Sequence, residues 1–572
     1  MDPLNNTEQD SHKKVQRELP DKSFFTIFIF PFKYFKHKPS ASVDIPPADL
    51  KDLLCGEPDS PWAIQDFWSP GEDLIEHYNQ WQYFHSYVRN MIFSNDQEKK
   101  APDRCQNMLY LVRKDYDTLS VDYYIEDRSG IRSKTMIVDV KSIDLHLFDN
   151  QIGFLTITTE KKPETEYELE ELLKFNDITR RVYPPHLSPD GASNTEYPKI
   201  HSRVIPDRLK LFNSRDKRDK ILEECFPSFN IPDDVPYLSK IISRLLSPLA
   251  QAPRKGLVSG KCYFTSFMDD RMFIVSHLVD KGLARRLSGI CCGAYEYETS
   301  DDWYKLIFVD GEWPTIANGA MKSELIRKHT YARWANFGTL FGISRYSFVM
   351  LHDGSQTYLY NHAKGVYYQL ALIVLFQRAM LLKFSEEIKE LTKYFRQGVK
   401  ADKEFRAKAD NLHGRFIKFT NEYWYTEVTP QEQGIEIYRQ WTTLMEHDYL
   451  FAKVKSEISE LAVHVRTIVE HESNQNIEWI TNMGLPLSVL ITLWTVWLAV
   501  YGERHFPDIL SFLRLRVDPW QTVLFCAFVL AGFVFIWQFV NFAIRWVNRM
   551  ARRVGRFLRQ SLKGKTSSDR AS

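Results

Sequence analysis

The chain has 572 residues, 44% hydrophobic and 26% charged, with 74 Lys+Arg against 73 Asp+Glu. That length argues against one compact domain, and the near-neutral balance excludes a general nucleic-acid binder, whose basic excess would show. The seven cysteines form no CxxC pair and no metal-ligand spacing with histidine, as expected of reduced thiols in a cytosolic module.

The N-terminus, MDPLNNTEQDSHKKVQRELPDK, is polar and carries acids. It is not a secretory signal, and residues 1–22 read as disordered. Strand-like runs follow at 24–32, 108–112, 120–125, 135–140, 143–148 and 152–158, the last two forming a hairpin through Asp149 and Asn150. Helices are expected over 73–93 and over 168–181, where leucines and Phe175 recur at helical spacing. Residues 184–206 read as a Pro/Ser/Asn-rich loop, and further strands are expected at 262–266, 272–276, 303–309 and 343–351. The fold class is therefore an α+β cytoplasmic domain over 23–364, a mixed sheet with flanking helices, followed by a helical stalk and two transmembrane helices.

From residue 365 the pattern is helical. Residues 366–382 contain LALIVLF, but Gln369, Gln377 and Arg378 interrupt it, so it reads as a buried helix and not a span. Residues 365–428 form a helical connector. Thr429-Pro430-Gln431-Glu432 then announces a new helix: Thr429 as cap, Pro430 at the first helical position, Glu432 completing a capping box. Ile437, Trp441, Leu444, Phe451, Val454, Ile458, Leu461, Val465 and Ile468 recur at spacings of three and four. This is a coiled-coil seam on a long stalk helix over 429–480 that feeds straight into the bilayer.

No charged side chain stands between Glu478 and Glu503, nor between Asp518 and Arg545. Both runs exceed the roughly 20 apolar residues a spanning helix needs. Trp479 and Tyr501 bracket the first, Trp520 and Trp546 the second, as interfacial aromatics do. Spans are expected at 481–502 and 519–546, joined by an extracytoplasmic loop over 503–518. The tail over 547–572 carries Arg549, Arg552, Arg553, Arg556, Arg559, Lys563 and Lys565, which holds it on the cytoplasmic side. A two-span hairpin in the cell membrane then puts both termini in the cytoplasm. The basic tail serves as a grip on anionic headgroups, as a ring at a pore mouth, or as a topology signal alone.

Along the first span, Thr481, Leu485, Ser488, Thr492, Thr495, Ala499 and Gly502 form a stripe of mostly small or hydroxylated residues. Such a stripe faces a water path or packs closely on another helix. One helix makes no pore, so the pore reading requires a symmetric ring of copies.

The soluble part holds no GxxxxGK[ST], HExxH or GxSxG, so neither an enzyme nor a metal centre is expected. Gly338-Thr339-Leu340-Phe341-Gly342 lacks a phosphate-loop lysine and marks close backbone packing before a strand. A phosphate-bearing ligand calls for arginines beside aromatics. Arg180 and Arg181 are the first candidates for an anion contact and Arg345 the second; Arg333 beside Trp334 and the cluster 269–271 share the pattern. Each also reads as a surface or helix-end salt bridge.

A cytoplasmic α/β module, a long stalk helix, two C-terminal spans and a basic tail together resemble the CorA-type magnesium transporter family. In that family Tyr-Gly-Met-Asn closes the first span, and an aromatic residue and Pro-Glu-Leu follow. Here Tyr501-Gly502 is followed by Glu503-Arg504, with Phe506-Pro507-Asp508-Ile509-Leu510 after them. The resemblance covers 430–546 and implies a homopentamer, its first span lining the pore, with Tyr501, Gly502, Glu503 and Arg504 at the entrance. The family's Asn presents its amide to hydrated Mg²⁺, whereas Arg504 adds a ring of positive charge that repels a divalent cation. CorA-like proteins without the signature also occur as membrane effectors of prokaryotic antiviral systems, notably beside type III CRISPR, where a nucleotide second messenger acts on the membrane part. The resemblance thus implies a homo-oligomeric channel or membrane effector gated by a small anionic, nucleotide-like ligand. The alternative is a divalent-cation (Mg²⁺) transporter with an altered filter.

Overall fold

The first strand sets the frame. In KSFFTIFIFPFKYFKHK, Phe24, Phe28, Phe30 and Phe32 alternate with Phe25, Ile27 and Ile29, and all seven are buried. A strand apolar on both faces lies inside a sheet covered on both sides. The structure is a computed structural model that describes residues 21–479 apart from 39–40, 44–46, 57–59, 66–73, 94–107, 115–118, 127–131, 163–164, 184–206, 214–219, 224–237, 253–256, 270, 292, 312 and 397–402, and beyond them Thr481, Gly484, 487–493, Thr495, Trp520 and Gly532. The disordered segment expected over 1–22 and the loop over 184–206 lie outside the described residues, except that a strand already begins at Lys22.

In chain order, β1 (Lys22–Lys38) is followed by β2 (Ala41–Val43), α1 (Pro47–Cys55), β3 (Trp62–Ile64), α2 (Leu74–Tyr83) and α3 (Ser86–Ile92). Next come β4 (Met108–Arg113), β5 (Leu119–Glu126), β6 (Arg132–Phe148), β7 (Ile152–Lys161) and α4 (Leu169–Thr179). Then β8 (Asp207–Asn213), β9 (Lys220–Glu223), α5 (Lys240–Leu245), β10 (Ala250–Gln251), β11 (Cys262–Ser266) and β12 (Phe273–Asp280). The next group is α6 (Lys281–Leu287), β13 (Ile290–Cys291), β14 (Ala294–Tyr295), α7 (Asp301–Phe308), α8 (Gly319–His329), β15 (Thr330–Tyr331), β16 (Leu340–Ile343) and β17 (Ser347–His352). The last are α9 (Tyr358–His362), α10 (Tyr368–Arg396), α11 (Lys403–Glu422), α12 (Glu432–Leu444) and α13 (His447–Trp479).

Fifteen of the seventeen described strands form one sheet with the path β15-β16-β17-β12-β1-β7-β6-β5-β8-β9, and β13 and β14 pair separately. It is mixed: β12 runs parallel to β17, while β1 is antiparallel to both β7 and β12. β1 pairs with β12 over Lys22–Ile29 and with β11 over Phe32–Lys36. Pro31, which has no N–H to give, stands where the partner changes. The mixed sheet flanked by helices is the one expected from sequence.

Four local expectations are corrected. Residues 303–309 form a helix, α7, and not a strand: Ser300 caps it by accepting from the Trp303 N–H at 3.3 Å, and Asp301 and Asp302 occupy its first turn. The helix of 73–93 is two helices, α2 and α3. The runs 135–140 and 143–148 belong to one strand, β6, with a register shift between Val140 and Ser142. Residues 343–351 turn at Ser344–Tyr346 between β16 and β17, where the Ser344 hydroxyl accepts from the N–H groups of Tyr346 and Ser347. The close packing expected around the glycines holds: a Cβ on Gly342 would lie 2.6 Å from Ile307 Cγ1.

The chain divides into two compact units, residues 1–398 with 410–458, and residues 399–409 with 459–572. In the first unit α10 lies on the β6–β7 hairpin. Phe376 meets Phe148 at 4.3 Å, and Lys383 donates to Asn150 O at 2.5 Å and Gln151 Oε1 at 2.6 Å. Among the described residues one helix, Tyr358–Thr392, in which a π-helical turn at Ala363–Tyr367 joins α9 to α10, is long and apolar enough to cross a membrane by length and composition; 83% of its most apolar window is buried inside the protein. That agrees with reading 366–382 as a buried helix.

The stalk differs from the single helix expected over 429–480. It is broken at Met445 and Glu446, where Glu446 takes φ +56°, and it begins at Glu432. Thr429 makes no capping box: its hydroxyl donates to Tyr83 O and accepts from the Gln431 N–H. The seam residues Ile437, Trp441, Leu444, Val454 and Ile458 are buried against the chain itself.

Candidate anion-binding groove

α12 is amphipathic, and its buried face pins it to the sheet. Ile437 and Trp441 are fully buried, and the Tyr438 hydroxyl shares its one hydrogen between Gln377 Oε1 and Tyr425 O, 2.9 and 2.7 Å away. Its opposite face, with Glu436, Arg439, Gln440 and Thr443, forms one wall of a cleft of about 640 Å³; Lys328, Tyr331 and Arg333 form the other. A second cavity of about 250 Å³ continues past Lys328, Thr443 and Leu444 to His329, Arg345, Tyr346 and Glu446. The larger cleft is open to solvent and the smaller more enclosed, and convergent polar groups line both.

Four cations face two carboxylates across these cavities. Glu436 is already committed: Tyr331 Oη donates to its Oε2, and Arg333 Nη1 donates to the same oxygen at 2.7 Å. The hydrogen bond from Tyr331, then that from Arg333, holds Glu436 below the ordinary carboxylate range. Arg345 pairs with Glu446 at 2.6 Å and donates from Nε to Leu444 O at 3.2 Å. His329 is held towards its neutral form, because burial lowers its pKa more than the hydrogen bond from its Nδ1 to Ile343 O at 2.6 Å raises it. Among the described residues, the exposed head groups of Lys328 and Arg439 close no salt bridge. They are the free positive charge of the groove.

Two of the sequence candidates, Arg180 and Arg271, fall around one ring. The Arg180 guanidinium lies 5.7 Å and that of Arg271 5.1 Å from the centroid of Tyr346, the neighbour of Arg345. Arg180 is 2% exposed; Nη2 donates to Val309 O at 3.1 Å, while Nε and Nη1 are buried with no hydrogen-bond partner. Burial lowers its pKa from the usual arginine value. Arg181 is not part of the groove wall: its Nη2 donates to Asp177 at 2.7 Å, the salt bridge that such a helix end supplies. Arg345 and Arg333 line the groove, and Arg180 backs it through Tyr346. Lys328, Arg439 and Glu446 were missed. Lys328 and Tyr331 lie in the basic-aromatic run RKHTYAR, which sequence alone could have flagged.

Of the stripe expected to line a pore, Thr481, Ser488, Thr492 and Thr495 are exposed. Thr492 Oγ1 donates to Ser488 O at 2.7 Å and Thr495 Oγ1 to Thr492 O at 2.9 Å, so both hydroxyls are satisfied within their own helix. Leu485, Ala499, Tyr501, Gly502, Glu503 and Arg504 lie outside the described residues, as does most of both expected spans. No cluster of three or more His, Cys, Asp or Glu suited to a metal occurs among the described residues. No family model, curated protein or solved structure matches the chain.

The free cations give a direct expectation. The double variant Lys328→Ala/Arg439→Ala should weaken pyrophosphate binding at least tenfold, since each charge-assisted hydrogen bond contributes about 1.5–3 kcal/mol. Its melting temperature should stay close to wild type because both head groups are exposed. Titration calorimetry alongside a thermal melt checks both halves.

Proposed function

We propose that the chain is a CorA-like, homo-oligomeric membrane channel or membrane effector whose sheet domain senses a small, multiply charged anion. The observation that carries this reading is the position of the groove. Its wall is the last turn of α12, and only Met445 and Glu446 separate that turn from α13, the helix that ends at Trp479. The first charge-free run begins there. A ligand that draws Lys328 and Arg439 together acts on the base of the helix leading to the membrane segment. A phosphorylated, nucleotide-like ligand suits the groove, with cations for phosphates and Tyr331 and Tyr346 for an aromatic face.

The Mg²⁺-transporter reading has less support. Arg504 stands where the resembling family has its Asn, and the loop 503–518 balances Glu503, Asp508 and Asp518 against Arg504, Arg514 and Arg516. Reconstitution into liposomes loaded with a self-quenching dye tests the proposal. Addition of pyrophosphate or ATP should release dye, and Arg439→Ala should blunt the release. Tight vesicles with every phosphorylated anion tried would sink the channel reading, whereas restored growth of a Mg²⁺-uptake-deficient strain would favour the transporter.

A further inference from the structure

Glu446 occupies an unusual place. It follows the end of α12 in a left-handed conformation, φ +56°, that few side chains other than Asn and Asp adopt readily. Two arginines from distant elements hold this joint. Arg345 donates to Leu444 O and meets the Glu446 carboxylate at 2.6 Å, while Arg378 Nη1 donates to Met445 O. Glu446 and Arg345 both line the smaller cavity, which shares Lys328, Thr443 and Leu444 with the larger cleft.

We propose that Glu446 is an internal occupant of the anion site: its carboxylate holds the place on Arg345 that a ligand phosphate takes, and binding displaces it. The proposal rests on reading the groove as an anion site. Arg345 spends Nε on Leu444 O and meets the Glu446 carboxylate through Nη2, so a phosphate seated on Nη2 competes with that carboxylate. The exchange is easy, because an exposed ion pair is weak. It is also directional. Displacement removes the one side-chain contact among those that hold Glu446 in place, and so loosens the joint between α12 and α13, which Arg378 still caps at Met445 O. Lys328 lines both cavities and Arg439 lines the larger, so the fitting ligand carries two or more phosphates, one for Arg345 and the rest for these cations.

Calorimetric titration of the full-length protein in detergent with pyrophosphate, across a double-mutant cycle, tests this. Glu446→Gln should bind about two- to fivefold tighter than wild type, the range an exposed ion pair supports. The gain should vanish in Arg345→Ala, where no guanidinium remains to compete for. Unchanged or weaker binding by Glu446→Gln overturns the proposal. So does an equal gain in the Arg345→Ala background, which marks a general field effect. In both cases wild-type binding leaves the groove reading standing, whereas absence of binding in all four proteins removes the groove and the proposal together. Should Glu446→Gln fail to fold, Glu446→Asn, which takes the left-handed conformation more readily, replaces it in the cycle.

Discussion

Replacing Trp441 with alanine is expected to destabilise the sheet domain by about 3–5 kcal/mol, the range for a fully buried tryptophan. The indole stacks on Phe348 at 4.9 Å and 13° and on Phe273 at 5.8 Å, so it ties α12 to β17 and β12 in the middle of the sheet. Truncation leaves a cavity lined by two rings that neighbouring backbone cannot fill without shifting the sheet. The groove should suffer with the fold, because Arg439, Gln440 and Thr443 ride on the same helix. Trp441→Phe should cost much less. It keeps a ring against Phe348 and removes an indole N–H that is buried with no hydrogen-bond partner. Denaturant titration of the three proteins, with pyrophosphate binding measured on each, checks the ordering. An alanine variant as stable as wild type would mean that α12 is not pinned by this residue.

What could be read from the sequence follows from where the deciding interactions lie. β1 was legible because its two apolar faces are a local property of consecutive residues. The helix α10 was legible for a similar reason: Gln369, Gln377 and Arg378 stand inside its apolar run, and Gln377 indeed donates to Tyr423 O within the protein. α7 was not, because Trp303, Tyr304, Ile307 and Phe308 favour strands by composition while the signal against it, Ser300 followed by two aspartates, is brief. The break at Glu446 could not be read at all. Its causes, Arg345 and Arg378, stand 99 and 67 residues away from the carbonyls they cap. The groove was half legible: arginines beside aromatics pointed to Arg345, but only the fold brings Arg439 opposite Lys328.

Acidification from pH 7 towards pH 4 is expected to unfold the sheet domain through four buried histidines. His146, His277, His352 and His447 are each at most 2% exposed, and burial lowers all four: His146 and His447 to about 3, His352 to about 4, His277 well below 6.5. The hydrogen-bond partners fix where the proton sits on His146 and His352. Tyr368 spends its hydroxyl hydrogen on Thr156, so His146 Nε2–H donates to the Tyr368 oxygen at 2.8 Å. His352 Nδ1 accepts from the Gly354 N–H, so its Nε2–H donates to His277 Nε2 at 2.9 Å, a bond that a second proton between the rings would break. Folded values below the unfolded value near 6.5 mean that the unfolded chain binds more protons in this window. Stability is therefore complete above about pH 7 and is lost as pH falls from about 6.5 through the folded values. Each histidine contributes a slope of up to roughly 1.4 kcal/mol per pH unit, so four acting together approach about 5. Against a typical total of about 5–15 kcal/mol, two pH units bring a loss of the same order as the whole stability. Denaturant midpoints at pH 7.5, 6.5, 5.5 and 4.5 should fall with increasing steepness, and His146→Gln should flatten the curve by about a quarter. Midpoints that hold steady down to pH 5 would show that these imidazoles are charged, or hydrated, in the native protein.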